Sequence, residues 1–357
     1  LTSLAGLRNT GDEMCECIYC GDGNATSVSH IIPESLGNNT TLNRGVCGGC
    51  NLAINREVEE PVIRSFSVLR SFFEIEGKRD ERPTISIEAR YGTGRHRFLA
   101  RSALDVFSRV FVFKDFSDPQ GVARKIAFLS FDQKAISEHR ERYNPRHTDS
   151  PLNEIPRDNL EGLEFWVDFD FTTLSDPRCL RMIAKIAFEW WCLERSPEFV
   201  SSGDYDDIRR YIRNGTDVNP PLVSVIDDLR VDAYLGAVPF GPHLLYRHTN
   251  RRLNNLVMVV SPFSLIYYQV VLSRNYRPLA ADSMMTSINP QTGEAYQPKI
   301  ENPRGGVLIL NGAVPANWAD ARVVVGRISP RLLIRLNQGM KKIIDDSDQN
   351  ACGADSN

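Results

Sequence analysis

The sequence predicts an α+β protein in two parts, a small metal-stapled module near the N-terminus and a larger mixed α+β domain after it. Three observations carry that prediction. Four of the eight cysteines stand as two CxxC pairs, Cys17/Cys20 and Cys47/Cys50, in a stretch rich in Gly, Asn and Thr that is too small for a core of its own. Beyond it, apolar residues recur at helical spacing in some segments and alternate in others. The length, 357 residues, exceeds what one core usually organises.

The elements follow in order. Residues 1–14 read as a lead-in and 15–60 as the cysteine module. From Asn51 onward, Leu52, Val58, Val62, Phe66, Leu69 and Phe73 fall on one broad helical face, which Gly77 ends. Residues 84–89 and 97–100 form a hairpin about the turn 91–94, and 126–131 a further strand. Leu163, Phe165, Val167, Phe169 and Phe171 alternate with Glu164, Trp166, Asp168 and Asp170, the pattern of a half-buried strand. Asp176 and Pro177 open a helix as cap and first-turn proline, and Leu180, Ile183, Ala187 and Trp191 give it a buried face. A shorter helix over 206–213 stops at Asn214 and Gly215. Strands are expected at 233–238, 244–248, 256–260, 265–272, 307–310 and 322–325, and a last helix over about 330–344. Residues 61–344 thus make the larger domain, and 345–357 a polar, disordered tail.

Composition narrows the function. With 42% hydrophobic and 24% charged residues the chain is ordinary globular protein. No apolar run reaches the ~18 residues a bilayer span needs, and the N-terminal text lacks the basic-then-apolar pattern of a signal peptide, so a cytoplasmic, membrane-free protein is expected. In that compartment paired CxxC read as metal ligands rather than disulfides. A net charge of −3 gives no general pull toward nucleic acid, and Arg8, Arg44 and Arg56 are the sole Arg or Lys in the first sixty residues. Basic clusters at 90–97, 247–252 and 327–342 are where phosphate contacts would come from. No GxGxxG or P-loop text indicates nucleotide use.

Each CxxC turn sets two thiolates within reach of one ion, and two such turns complete a tetrahedron, so Cys17, Cys20, Cys47 and Cys50 predict a closed, structural zinc site. Cys15, just outside the clip, reads as a spare thiol, and a redox CxxC is the competing explanation.

Inside the clip the sequence resembles the HNH endonucleases, in the group whose core is held by two CxxC pairs. The resemblance rests on CIYC at 17–20, SHIIPESLG at 29–37 and LNRGVCGGCN at 42–51, matching in order and spacing. It covers roughly residues 15–60. It implies a zinc-stabilised ββα-metal fold and a DNA substrate. His30 would be the general base that deprotonates water, a task suited to an imidazole near neutral pH. Asn51 at the helix start would be an oxygen ligand to a catalytic Mg²⁺ or Mn²⁺, with Asn55 one turn on as second ligand or phosphate contact. Asn43, with Asn39 as competitor, would orient the histidine. The ion would hold the scissile phosphate and stabilise the leaving 3′-oxygen.

One position departs from the family. The residue before the histidine is usually Asp, Glu or His and ligates the catalytic ion; here it is Ser29, a weak ligand for a hard cation. Either Ser29 acts through water, or Glu34 or Glu57 substitutes, or the core is degenerate and the chain is a zinc-stabilised nucleic-acid-binding or assembly protein. Arg44, Arg56, Arg95, Arg97, Arg251 and Arg252 are the candidate nucleic-acid contacts. Family habit implies a bacterial restriction or anti-phage effector, nicking or cutting DNA. Residues 61–344 would then sense, target or dimerise, with a partner subunit or a second copy as assembly.

Overall fold

The computed structural model describes residues 16–76, 83–102, 105, 109–130, 133–143, 153–154, 162–167, 169–216, 218–227, 240–250, 254–276, 283–297, 313–315, 321–336 and 338–339. The strands expected at 233–238 and 307–310, Gly77, Cys15, Arg251, Arg252, the lead-in and the tail lie outside the described residues.

The module is a hairpin followed by a helix. Strand β1 (Ser27–His30) pairs antiparallel with β2 (Thr41–Val46), His30 opposite Thr41 and Val28 opposite Asn43. The register slips between Ser27, opposite Val46, and Val28, so Arg44 and Gly45 form a bulge, with Arg44 at φ +60°. The bulge carbonyl of Gly45 accepts the Ile18 N–H at 2.9 Å, tying the first CxxC turn to the hairpin. Between the strands, Gly37 ends a short 3₁₀ turn (Glu34–Leu36) at φ +89°. Helix α1 (Gly48–Ile54) starts at Cys47, whose sulfur accepts the Cys50 N–H as an N-cap does, so the second CxxC is itself the first helical turn.

The helical run continues through a π turn (Asn55–Glu59), α2 (Glu60–Ser65) and α3 (Ser67–Phe72). Val58, Val62, Phe66, Leu69 and Phe73 are buried as expected, but Leu52 is 49% exposed. Ile54, one turn before Val58, takes the inward position instead.

Among the described residues the body contains three sheets. Strands β3 (Ile85–Tyr91), β4 (Gly94–Ala100) and β8 (Leu163–Val167) run β4-β3-β8, all antiparallel. Beside them lie β5 (Phe111–Ser117), β6 (Ala123–Leu129) and the two-residue β7 (Asn153–Glu154), with helix α4 (Gln133–Tyr143) following β6 in the chain. Tyr91, Phe98, Phe111, Phe113, Phe116 and Phe165 pack between the two sheets. The strand expected over 163–171 stops at Val167; Asp170 instead caps a 3₁₀ turn (Phe171–Ser175) by accepting the Thr172 N–H.

The third sheet has seven strands in the order β14-β13-β10-β11-β12-β9-β15: β9 (Val223–Ile226), β10 (His243–Asn250), β11 (Asn255–Ser261), β12 (Tyr268–Ser273), β13 (Ser283–Ile288), β14 (Ala295–Tyr296) and β15 (Ala313–Pro315). Strands β9 and β11 are buried along nearly their whole length, which means both faces of the sheet are covered and explains their continuous apolar text. The strand expected over 265–272 begins only at Tyr268, after a 3₁₀ turn (Pro262–Ser264). Residues 321–336 are helical where a strand over 322–325 was expected, and the last helix begins earlier than 330. Ala321, Val324, Val325, Ile328, Leu332 and Leu336 are its buried stripe, a 3.6-residue period that outweighs the β-branched run at 323–325.

Helix α5 (Pro177–Arg195) is the axis of the molecule. Asp176 caps it by accepting the Arg178 N–H, Pro177 opens it, and Cys179 through Cys192 are buried except Arg181. The four-residue α6 (Pro197–Val200) and α7 (Asp206–Asn214), stopped by Gly215 at φ +66°, pack against it. On one side α5 meets β9, β11 and β12; on another it meets β2, the π turn and α2 of the module. One cluster of buried apolar residues runs from Cys17 to Leu336, so the module has no separate core. Among the described residues no helix is long and apolar enough to cross a membrane.

Candidate functional site

The four clip sulfurs converge. Their ligand atoms all lie within 4.8 Å of one another, and Cys20 and Cys47 are 3.7 Å apart. Zn–S bonds of about 2.3 Å in a tetrahedron require sulfurs about 3.8 Å apart, so the four cysteines fit zinc and leave no open position. Backbone N–H groups support them, Cys47 donating to the Cys17 sulfur at 3.3 Å and Cys50 to the Cys47 sulfur at 3.4 Å. Burial raises the Cys47 thiol, but the Cys50 N–H and the neighbouring thiols outweigh it and bring it below its ordinary value. Burial and the adjacent sulfurs push Cys50 far up. Four thiols this close cannot all ionise without a cation among them.

Helix and hairpin are tied by Asn51. Its amide nitrogen donates to the Ser27 hydroxyl at 2.7 Å and to the Val28 carbonyl at 3.0 Å. That fixes the first turn of α1 against β1 two residues before His30, and it leaves the amide oxygen as the acceptor of the pair. Asn55, in the π turn one turn on, is exposed. The structure therefore brings the cysteines, Asn51 and His30 into one hairpin–helix unit.

The His30 side chain is 30% exposed, and its Nε2 is 3.8 Å from a Glu34 carboxylate oxygen, itself 37% exposed. Asn43 is exposed, sits opposite Val28, and accepts from Thr41 at 3.5 Å. Asn39 is exposed near Gly293. Neither asparagine is hydrogen-bonded to His30; among the described residues Glu34 is the side chain that reaches the ring. Glu57 is exposed and lies 4.0 Å from Arg181.

Ser29 is not where an ion ligand on the His30 side would stand. Alternation along β1 turns it inward, to 1% exposure, and its hydroxyl donates to both carboxylate oxygens of Glu189 at 3.0 and 2.9 Å. Behind the strand lies a buried ionic group. Lys185 is 2.8 Å from Glu59 and 3.0 Å from Glu189, and Tyr19 donates its hydroxyl to Glu189 at 2.8 Å. Burial and the adjacent Glu189 push the Tyr19 phenol far up, so it stays a donor. Sequence reasoning assigned none of these residues. The one signal was Lys185 and Glu189, two charges four apart on a helix otherwise apolar enough to be buried.

Arg44 and Arg56 are exposed on the module, at the β2 bulge and in the π turn. Arg95 and Arg97 are also exposed but belong to β4 in the body, where Arg97 reaches Glu88 at 3.4 Å.

Residues 17–67 match the family model described as HNH endonuclease. No curated protein and no solved structure matches the chain. The matched stretch spans both CxxC turns, the hairpin and the helical run as far as α3, so this module is of HNH endonuclease type, with nuclease chemistry on nucleic acid as its family's activity.

Proposed function

We propose that the chain is a metal-dependent HNH DNA endonuclease or nickase whose zinc is structural and whose general base is His30. The observation that carries this reading is the pairing of a partly exposed imidazole with a helix-start asparagine whose amide is already fastened to the histidine's own strand. Asn51 through its amide oxygen, Asn55, and Glu34 as the nearest carboxylate would hold Mg²⁺ or Mn²⁺. When bound, that ion supplies charge stabilisation to the phosphate and its leaving oxygen. His30 takes the proton of the attacking water, its ring 3.8 Å from the Glu34 carboxylate. As a ligand to the ion, Glu34 would fill the acidic role vacated at Ser29. The products would carry 5′-phosphate and 3′-hydroxyl ends. Arg44 and Arg56 would meet the phosphates near the site; Arg95, Arg97, Arg251 and Arg252 would serve a longer DNA track. The rest of the chain, residues 61–344, would sense, target or dimerise in a bacterial defence role, as a cytoplasmic protein with a partner subunit or second copy.

A specific observation favours a second reading: the carboxylate nearest Ser29 faces the interior and is held by a lysine. On that reading the core is degenerate and the protein is a zinc-stabilised nucleic-acid-binding or assembly protein. Supercoiled plasmid incubated with Mg²⁺ or Mn²⁺ separates the two. Nicking by wild type, lost in His30→Ala and reduced in Glu34→Gln, is the expected result. DNA retention without nicking under either metal would establish the second reading.

A further inference from the structure

We propose that Lys185 is a positioning residue for the nuclease site: its buried ammonium, supplied by the body's central helix, holds the backbone carbonyls of His30 and Ile31 and so fixes the end of the strand that presents the imidazole. The inference rests on the reading of His30 as general base, but its geometry stands apart from that reading.

The ammonium has three N–H donors, and acceptors surround it. It donates to the His30 carbonyl, to the Ile31 carbonyl at 3.2 Å, and meets carboxylates of Glu59 at 2.8 Å and Glu189 at 3.0 Å. Lys185 is 1% exposed and Glu189 is fully buried. Desolvation acts against the charged lysine, but the two carboxylates outweigh it and raise its pKa, so it stays an ammonium. Burial and the nearby Glu59 raise Glu189, against the donors Lys185, Tyr19 and Ser29. Each member answers another: Ser29 and Tyr19 fasten Glu189, Glu189 and Glu59 fasten Lys185, and Lys185 fastens the backbone of the catalytic residue.

A buried ion cluster adds little net stability over an apolar core, since desolvating the charges offsets their attraction. What it adds here is direction. An apolar side chain at 185 would fill the volume but give no donor to two successive strand-end carbonyls, where the hairpin's own pairing with β2 is running out: Ile31 N–H donates to Thr40 at 3.1 Å and no strand partner follows. The effect reaches the ring through the His30 backbone, because a proton-accepting imidazole displaced by about 1 Å loses rate steeply. Lys185 touches neither ring nor substrate.

The test uses the full chain, zinc-loaded, with three readouts: zinc content with thermal melting, plasmid nicking, and the NMR shift and titration of the His30 ring. Lys185→Met leaves two carboxylates facing each other, so it is paired with the triple neutral variant Lys185→Met/Glu59→Gln/Glu189→Gln, which removes the orphaned charge. We expect the triple variant to hold zinc and fold, with kcat for nicking down ten- to a hundred-fold, KM unchanged, and the His30 ring resonances shifted and broadened. A folded, zinc-replete variant with wild-type kcat and wild-type His30 resonances overturns the proposal. If wild type nicks no DNA, the nuclease reading falls while the NMR comparison still decides the positional one: unchanged His30 resonances in the variant refute it, shifted ones sustain it. A triple variant that loses zinc and melts as an unfolded chain also overturns it, because the cluster would then be a folding requirement and not a positioning device.

Discussion

Acidification should loosen the seam between the module and the seven-stranded sheet at one histidine. His243, 2% exposed at the start of β10, accepts the Phe263 N–H on Nδ1 at 3.2 Å, so its proton is on Nε2, which donates to the Leu36 carbonyl at 2.7 Å. Burial lowers its pKa to about 4, against 6.5 for an ordinary imidazole. A folded-state pKa below the unfolded one means the unfolded chain binds the proton first, so stability is complete above about pH 6.5 and falls as the pH drops toward 4. The full difference amounts to about 3 kcal/mol at 1.36 kcal/mol per unit, of which about 2 kcal/mol is lost between pH 7 and pH 5. Burial also lowers His248 and His96, which act with the same sign. Urea unfolding of the zinc-saturated protein at both pH values, wild type against His243→Gln, isolates the term. Gln can still donate to Leu36, so the variant should be about 1 kcal/mol weaker at pH 7 and lose about 2 kcal/mol less on acidification. Parallel losses in the two proteins would refute the assignment of His243 as a neutral, buried link.

Zinc should be present at one equivalent per chain, and Cys20→Ser or strong chelation should lower the melting temperature by roughly 10 °C or more, since the four cysteines are the one metal cluster among the described residues; elemental analysis and calorimetry check this. Gly37→Ala should cost more than about 2 kcal/mol in urea unfolding, because the position has φ +89° and an added Cβ would lie 2.0 Å from the Pro290 carbonyl oxygen; an unchanged midpoint would contradict that fit. Glu194→Ala should cost about 2 kcal/mol in urea unfolding, since it removes a carboxylate 3.1 Å from the buried Arg247 and the acceptor of the Trp190 N–H at 2.9 Å; Glu194→Ala as stable as wild type would show these contacts to be dispensable.

Local chemistry was legible in the sequence wherever local spacing decides it. The cysteine clip, the Asp176–Pro177 helix start and the Asn214–Gly215 stop all came from residues that act on their immediate neighbours. Where tertiary packing decides, sequence signals misled: the β-branched residues at 323–325 read as strand, yet the buried period from Ala321 to Leu336 makes them helix. Leu52 reads as inward-facing because it is apolar, but the inward phase belongs to Ile54 and Val58.

Ser29 shows where such reading ends. As text it is a missing acid beside a catalytic-type histidine, and the alternatives it raises are all local. In the fold it is a buried donor to Glu189, 160 positions along the chain, on a helix whose Lys185 holds the next residue's carbonyl. An acidic side chain at 29, buried as Ser29 is, would meet the Glu189 carboxylate that the serine hydroxyl reaches at 2.9 Å, and Lys185, already between Glu59 and Glu189, would face a third carboxylate. A serine suits this position because it donates to Glu189 without adding a further buried charge.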